Sequence, residues 1–161
     1  MQMSRKTFAV LSRCVRVTLC SAASGQEEPI DLLARTNAGG GLIVHVGVTD
    51  GRMEAEAADR GAYLVHGLAL DDGIRARART AIAVQGVYGL AGVATWHDRN
   101  RLSCASNLAS IVVSDLDAIG DAAPGQKELM RIVAPEGALI LKADGEEELN
   151  GRLTSPPAKN R

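Results

Sequence analysis

Aromatic side chains are almost absent from this sequence. Phe, Tyr and Trp together make up 2 % of the chain, at Phe8, Tyr63, Tyr88 and Trp96. A surface that stacks nucleic-acid bases needs several rings, so binding of nucleic acid is not expected. The core must instead be built from Val, Leu, Ile and Ala. Hydrophobic residues are 46 % of 161 positions, which is enough for one globular domain.

Long apolar runs, paired cysteines and a surplus of one charge are missing as well. No apolar run approaches the ~20 residues of a membrane span, so none is expected. The cysteines are Cys14, Cys20 and Cys104, and their spacing is not that of a metal site. We therefore expect no metal centre. The net charge of -1 leaves no basic field that would attract polyanions.

The positive charge that is present gathers in a head at residues 1–25, which has no acidic residue. An apolar stretch and then small residues follow the first basic residues, which is the order of a secretory signal. Arg13 and Arg16 interrupt the apolar stretch, so a disordered tail is the alternative. The protein would be secreted or periplasmic if the signal works, and cytoplasmic otherwise.

Between residues 26 and 144 predicted helices alternate with predicted strands. Helical patterns cover 29–38, 52–60 and 126–133, and Asp71 or Asp72 can cap a further helix. Apolar and β-branched runs predict strands at 42–46, 63–68, 93–96, 108–114 and 138–142. This alternation predicts a single α/β domain, a Rossmann-like three-layer sandwich around a mainly parallel five-stranded sheet. A polar tail at 145–161 is expected to be solvated.

Such a sheet also predicts where a ligand binds. Ligands lie beyond the carboxyl ends of parallel strands, near the point where the strand order reverses. The turn at 47–51 follows the first predicted strand, 68–71 ends the second, and 96–98 ends the third. We therefore expect these three segments to surround one crevice.

The first of these segments resembles a known motif. Residues 44–51 read V-H-V-G-V-T-D-G, which resembles the first motif of class I S-adenosylmethionine-dependent methyltransferases, an apolar strand followed by G-x-G-x-G. Gly47 and Gly51 match two of the glycines, and Thr49 stands at the middle position. Glycine lets the chain turn sharply and approach a cofactor closely.

Other segments resemble the same family in the same order. Residues 128–139 resemble its E-x-x-R-V-L-x-P-G-G-x-L signature, and 101–114 resemble the stretch that enters its fourth strand. Residues 64–68 look like methyltransferase-like domains that precede pyrroloquinoline-quinone-type propellers in secreted bacterial proteins.

The resemblance implies a function and a cofactor site. It implies binding of S-adenosylmethionine and methyl transfer to a substrate that the sequence does not identify. An acidic residue at the position of Asp98 often bonds the adenine amino group in this family. No residue can be assigned as a catalytic base. The predicted cofactor-binding residues are Gly47, Val48, Thr49, Gly51, Leu70 and Asp98.

Departures from the family pattern motivate an alternative function. Ala69 stands where the family has an acidic residue for the ribose hydroxyls, and His45 stands at another position that is often acidic. No sequence is evident for the usual sixth and seventh strands. An uncapped fifth strand would leave a sheet edge open to a partner or a second copy. A non-catalytic, truncated methyltransferase-like interaction module is therefore the second hypothesis, and a different α/β nucleotide binder is the third.

Overall fold

The computed structural model describes residues 38–143, the backbone of 146–150, and the single residues Leu33 and Thr36. The predicted basic head, most of the helix expected at 29–38 and the end of the tail lie outside the described residues. Among the described residues, no helix has the length and apolar character needed to cross a membrane.

One sheet organises the described chain. Its strands are β1 (Gly41–Val48), β2 (Tyr63–Ala69), β3 (Ala91–Thr95), β4 (Ala109–Asp115), β5 (Val133–Ala143) and β6 (Glu146–Asn150). Their order across the sheet is β3-β2-β1-β4-β5-β6. The first five strands pair in parallel, as the alternation of strands and helices predicted. The strand order reverses between β1 and β4, so a ligand is expected near the end of β1.

The expectation that the sheet stops at five strands was wrong. Glu146–Asn150 pairs antiparallel with residues 139–143 of β5 and adds a sixth strand. The run of three glutamates at 146–148 had indicated a solvated tail. Backbone pairing to a free strand edge does not need apolar side chains, and charged residues are common on edge strands.

The helices follow from capping residues and buried stripes. They are α1 (Arg52–Asp59), α2 (Asp72–Val84), α3 (Leu116–Ile119) and α4 (Gln126–Ile132). The Asp71 carboxylate accepts the Ile74 N–H at 2.8 Å, so the predicted cap of α2 is confirmed. The Asp115 carboxylate accepts the Ala118 N–H at 3.0 Å and begins α3, which the sequence analysis did not predict.

The core has two layers, one on each face of the sheet. On one face Ile43, Val65 and Ile111 pack with Ala58 of α1 and Ile82 of α2. On the other face a second cluster contains Trp96 and residues of α3 and α4. The predicted three-layer α/β sandwich is thus confirmed, and the carboxyl ends of β1 to β5 meet at one edge.

Candidate functional site

The turn after β1 is shaped by its two glycines. Gly47 has a φ of +102°, and a Cβ there would lie 2.8 Å from the Asp115 carbonyl oxygen and 2.8 Å from Cγ1 of Ile119. Gly51 has a φ of +84°, and a Cβ there would lie 2.6 Å from the Cα of Ala78. Both glycines are therefore required by the packing of α3 and α2 against the turn.

The remaining predicted residues of the turn differ in exposure. Val48 ends β1 and is 1 % exposed, so its side chain belongs to the core. Thr49 is exposed and does not adopt a positive φ, so its Cβ is tolerated where the family motif has glycine. The nearby Asp50 carboxylate accepts the Arg52 N–H at 3.0 Å, at the first residue of α1.

The end of β2 offers no acidic group at the position expected from the resemblance. Ala69 is fully buried, and its carbonyl accepts the Trp96 N–H at 2.8 Å. Leu70 is half-buried, and its carbonyl accepts an N–H from Arg99 at 3.0 Å. Asp71 is committed to capping α2, so the end of β2 presents backbone and an apolar side chain.

Asp72 is an acidic group that contacts the end of β3, and it is also engaged. Its carboxylate accepts the Thr95 hydroxyl at 2.5 Å and lies 3.3 Å from Nη2 of Arg75. The Thr95 hydrogen bond and then the Arg75 charge lower the pKa of the Asp72 carboxyl. This contact ties the first turn of α2 to the last residue of β3.

A cavity of about 300 Å³ opens at the carboxyl end of β3. Trp96, which is 3 % exposed, and the buried Leu102 supply apolar walls. Asp98 is exposed, and its carboxylate accepts the Asn100 N–H at 3.0 Å. The lining residues are Thr95, Trp96, His97, Asp98, Arg101, Leu102 and Ser103. The cavity therefore combines apolar walls with a carboxylate.

Arg99 is a neighbour of this cavity that the sequence analysis missed. Its guanidinium carbon lies 5.0 Å from the centroid of the Trp96 ring, a cation–π distance. One nitrogen donates to Leu70, and the other terminal nitrogen is buried with no partner among the described residues. Arg99 thus links the ends of β2 and β3.

An ion pair on α4 holds the loop that forms one wall of the cavity. Arg131 donates to the carboxylate of Glu128 at 2.7 Å, and Glu128 accepts the Leu102 N–H at 2.8 Å. The hydrogen bonds from Arg131 and Leu102 lower the pKa of Glu128 to about 2, with the Arg131 bond as the larger cause.

Burial raises the pKa of the nearby Cys104 thiol, which opposes formation of a reactive thiolate.

Two more polar pairs lie under the carboxyl edge. His45 is 6 % exposed and hydrogen-bonds through Nδ1 to the carboxylate of Glu54, which is 1 % exposed. Lys142 donates to the Asp115 carboxylate at 3.0 Å. His45 is therefore a hydrogen-bonded core residue. Among the described residues, no three His, Cys, Asp or Glu side chains are grouped as metal ligands.

The structure separates the predicted cofactor-binding residues into two places. Asp98 lines the cavity after β3. Gly47 and Val48 end β1, Thr49 and Gly51 lie in the turn after it, and Leu70 follows β2, all outside that lining. Both places lie at the carboxyl edge of the sheet, so an elongated ligand would be needed to contact both.

Solved structures show where this architecture occurs. An S-adenosylmethionine-dependent methyltransferase from Aquifex aeolicus matches with a TM-score of 0.61 and 15 % identity, over 77 % of this chain and 68 % of that one. One from Thiobacillus denitrificans, solved with S-adenosyl-L-homocysteine, matches with a TM-score of 0.55 and 15 % identity. This match covers 72 % of this chain and 48 % of that one. The [4+2]-cyclase SpnF matches with a TM-score of 0.60 and 20 % identity, over 69 % of this chain and 42 % of that one. The chain matches no protein-family model and no curated protein.

The chain therefore has the fold of class I S-adenosylmethionine-dependent methyltransferases. It spans about half the length of several of the solved structures it matches. A cyclase shares the architecture, so the fold by itself does not decide the reaction. The likeness to domains that precede propellers stays a prediction.

Proposed function

We propose that this domain binds S-adenosylmethionine along the carboxyl edge of β1, β2 and β3. The observation that carries the proposal is the cavity after β3, where Trp96 and Leu102 form apolar walls and Asp98 supplies a carboxylate. Apolar walls with a few placed polar groups are typical of small-molecule sites. A planar heteroaromatic ring with an amino group fits this chemistry, because the ring packs on the walls and Asp98 accepts from the amino group.

The rest of the cofactor would extend toward the turn after β1. There the proposed contacts are the backbone of Gly47, Val48, Thr49 and Gly51, with Leu70 beside the ribose. Ala69 is buried and cannot accept hydrogen bonds from the ribose hydroxyls. Lost hydrogen bonds of this kind cost about 1–3 kcal/mol, so we expect binding weaker by roughly 10- to 100-fold than in a site with the acid.

The proposed reaction is transfer of the sulfonium methyl group to a nucleophile of a second substrate. Methyl transfer depends mainly on holding the two reactants in line at short distance. That requirement explains how a site without an assigned catalytic base would still act.

The test is isothermal titration of the full chain with S-adenosylmethionine and with S-adenosylhomocysteine. We expect micromolar binding that Asp98→Ala weakens about 10-fold, the loss of one hydrogen bond to a charged group. Asp59→Ala is the control, because Asp59 is an exposed carboxylate at the far end of α1. Absence of heat and of thermal stabilisation at millimolar ligand would contradict the proposal and favour the interaction module.

A further inference from the structure

Most of the residues that line the cavity belong to a loop, residues 96–108, that has neither helix nor strand. Leu102 points inward from this loop, since its side chain is 1 % exposed and packs in the same core cluster as Trp96 and Leu129. Both backbone groups of Leu102 bond to α4. Its N–H donates to Glu128 at 2.8 Å, and its carbonyl accepts from Arg131 at 3.0 Å. The side chains of the ion pair thus make the hydrogen bonds to Leu102 that a neighbouring strand would make in a sheet.

Arg131 uses its whole guanidinium in this arrangement. Nε and Nη2 donate to the two oxygens of Glu128 at 2.9 and 2.7 Å, and Nη1 donates to the Cys104 carbonyl at 2.9 Å and to the Ser106 hydroxyl at 3.2 Å. The Arg131 carbonyl also accepts the Asn107 N–H at 2.9 Å. Because the guanidinium is planar and bonds Glu128 on one side and the loop on the other, it fixes both the distance and the orientation between them.

We propose that Glu128 and Arg131 are positioning residues for the ligand cavity. Neither residue lines it. They act through Leu102, whose backbone N–H and carbonyl they bond, and they thereby fix its position relative to Trp96. A site wall is kept in place by supporting hydrogen bonds, and small displacements reduce binding. The proposal rests on the proposed function for the identity of the ligand, and on the loop contacts for the mechanism.

The experiment compares Arg131→Lys and Glu128→Gln with the unaltered protein. Lysine keeps the charge but cannot bond Glu128 and the two carbonyls at once, whereas glutamine keeps an acceptor for the Leu102 N–H. Lys127→Gln is the control, since Lys127 is exposed on the same helix. Trp96 is the single tryptophan of the chain, so acrylamide quenching of its fluorescence measures how accessible the cavity wall is in the absence of ligand. Isothermal titration with S-adenosylhomocysteine measures the affinity of the ligand site.

For Arg131→Lys we expect stronger quenching of Trp96 and affinity reduced about 10-fold, measured at a temperature where circular dichroism shows the variant folded. Glu128→Gln should show the same changes to a smaller extent, and Lys127→Gln neither. A lower unfolding temperature with unchanged quenching and unchanged affinity would overturn the proposal, because it is the result of a purely stabilising pair.

Two further outcomes keep the proposals separate. If the unaltered protein binds no S-adenosylhomocysteine, the proposed function fails, and the quenching of Trp96 alone decides whether the pair positions the wall. If Arg131→Lys does not fold, Glu128→Gln decides the matter by the same two measurements.

Discussion

At the scale of single residues, the buried contact between His45 and Glu54 yields the clearest stability prediction. Glu54 is 1 % exposed, so Glu54→Ala leaves His45 without its partner inside the core. Leaving a buried polar group without its hydrogen-bond partner costs about 1–3 kcal/mol. We expect the free energy of unfolding in urea to fall by that amount. The double variant His45→Val/Glu54→Leu should recover most of the loss, because no polar group is then left unpaired.

Asp59→Ala is the matched control for Glu54→Ala, because Asp59 is an exposed carboxylate on the same helix. An exposed substitution is expected to change stability by less than about 0.5 kcal/mol. A Glu54→Ala variant as stable as this control would show that the histidine contact contributes nothing.

The same pair shows what the sequence could predict for individual residues. The motif identified Gly47 and Gly51 as positions that need glycine, and their positive φ values agree. Their neighbours, however, are Ile119 and Ala78, which come from helices far along the chain. The partnership of His45 with Glu54 likewise spans a strand, a turn and a helix. Contacts of this kind depend on how elements pack, which the local pattern does not contain.

At the scale of elements, the clamp of α4 on the loop predicts a pH dependence. The pKa of Glu128 is lowered from 4.5 to about 2 in the folded chain. A depressed carboxyl pKa stabilises the folded state above the unfolded pKa, and this contribution is lost as the pH falls from about 4.5 to about 2. We expect Glu128→Gln to be less stable than the unaltered protein at pH 7 and to differ from it less at pH 2.5.

Urea unfolding at pH 7, 4 and 2.5 measures this effect, followed by far-ultraviolet circular dichroism. Asp121→Asn is the control, because Asp121 is exposed in the short turn after α3. It should keep the pH dependence of the unaltered protein. A constant stability difference between Glu128→Gln and the unaltered protein at all three pH values would show that ionisation of Glu128 is not involved.

The elements themselves differed in how far the sequence determined them. β1, β2 and β4 were predicted within two residues at each end, because runs rich in Val, Ile and Leu are typical of strands buried on both faces. α2 was predicted from its cap, because Asp71 was one of the two candidate capping residues. α3 was missed because Leu116–Ile119 is a single turn, too short for a helical period to show.

At the scale of the whole molecule, the important feature is the edge of the sheet beside β5. Glu146–Asn150 covers the edge of β5 with five paired residues. The sequence could not predict this, since its glutamates have the composition of a solvated segment and the pairing is made by the backbone. The sheet-edge contact that the alternative function required at β5 is therefore made within the chain.

Removal of β6 should expose that edge. A chain that ends at Ala143 leaves the N–H and carbonyl groups along the outer side of β5 unpaired, which is a template for pairing with another chain. We expect a lower unfolding temperature than for a chain that ends at Asn150, together with association that increases with protein concentration. Thermal unfolding and analytical ultracentrifugation of the two chains measure these effects. Equal unfolding temperatures and a monomer in both cases would mean that β6 neither stabilises the sheet nor protects its edge.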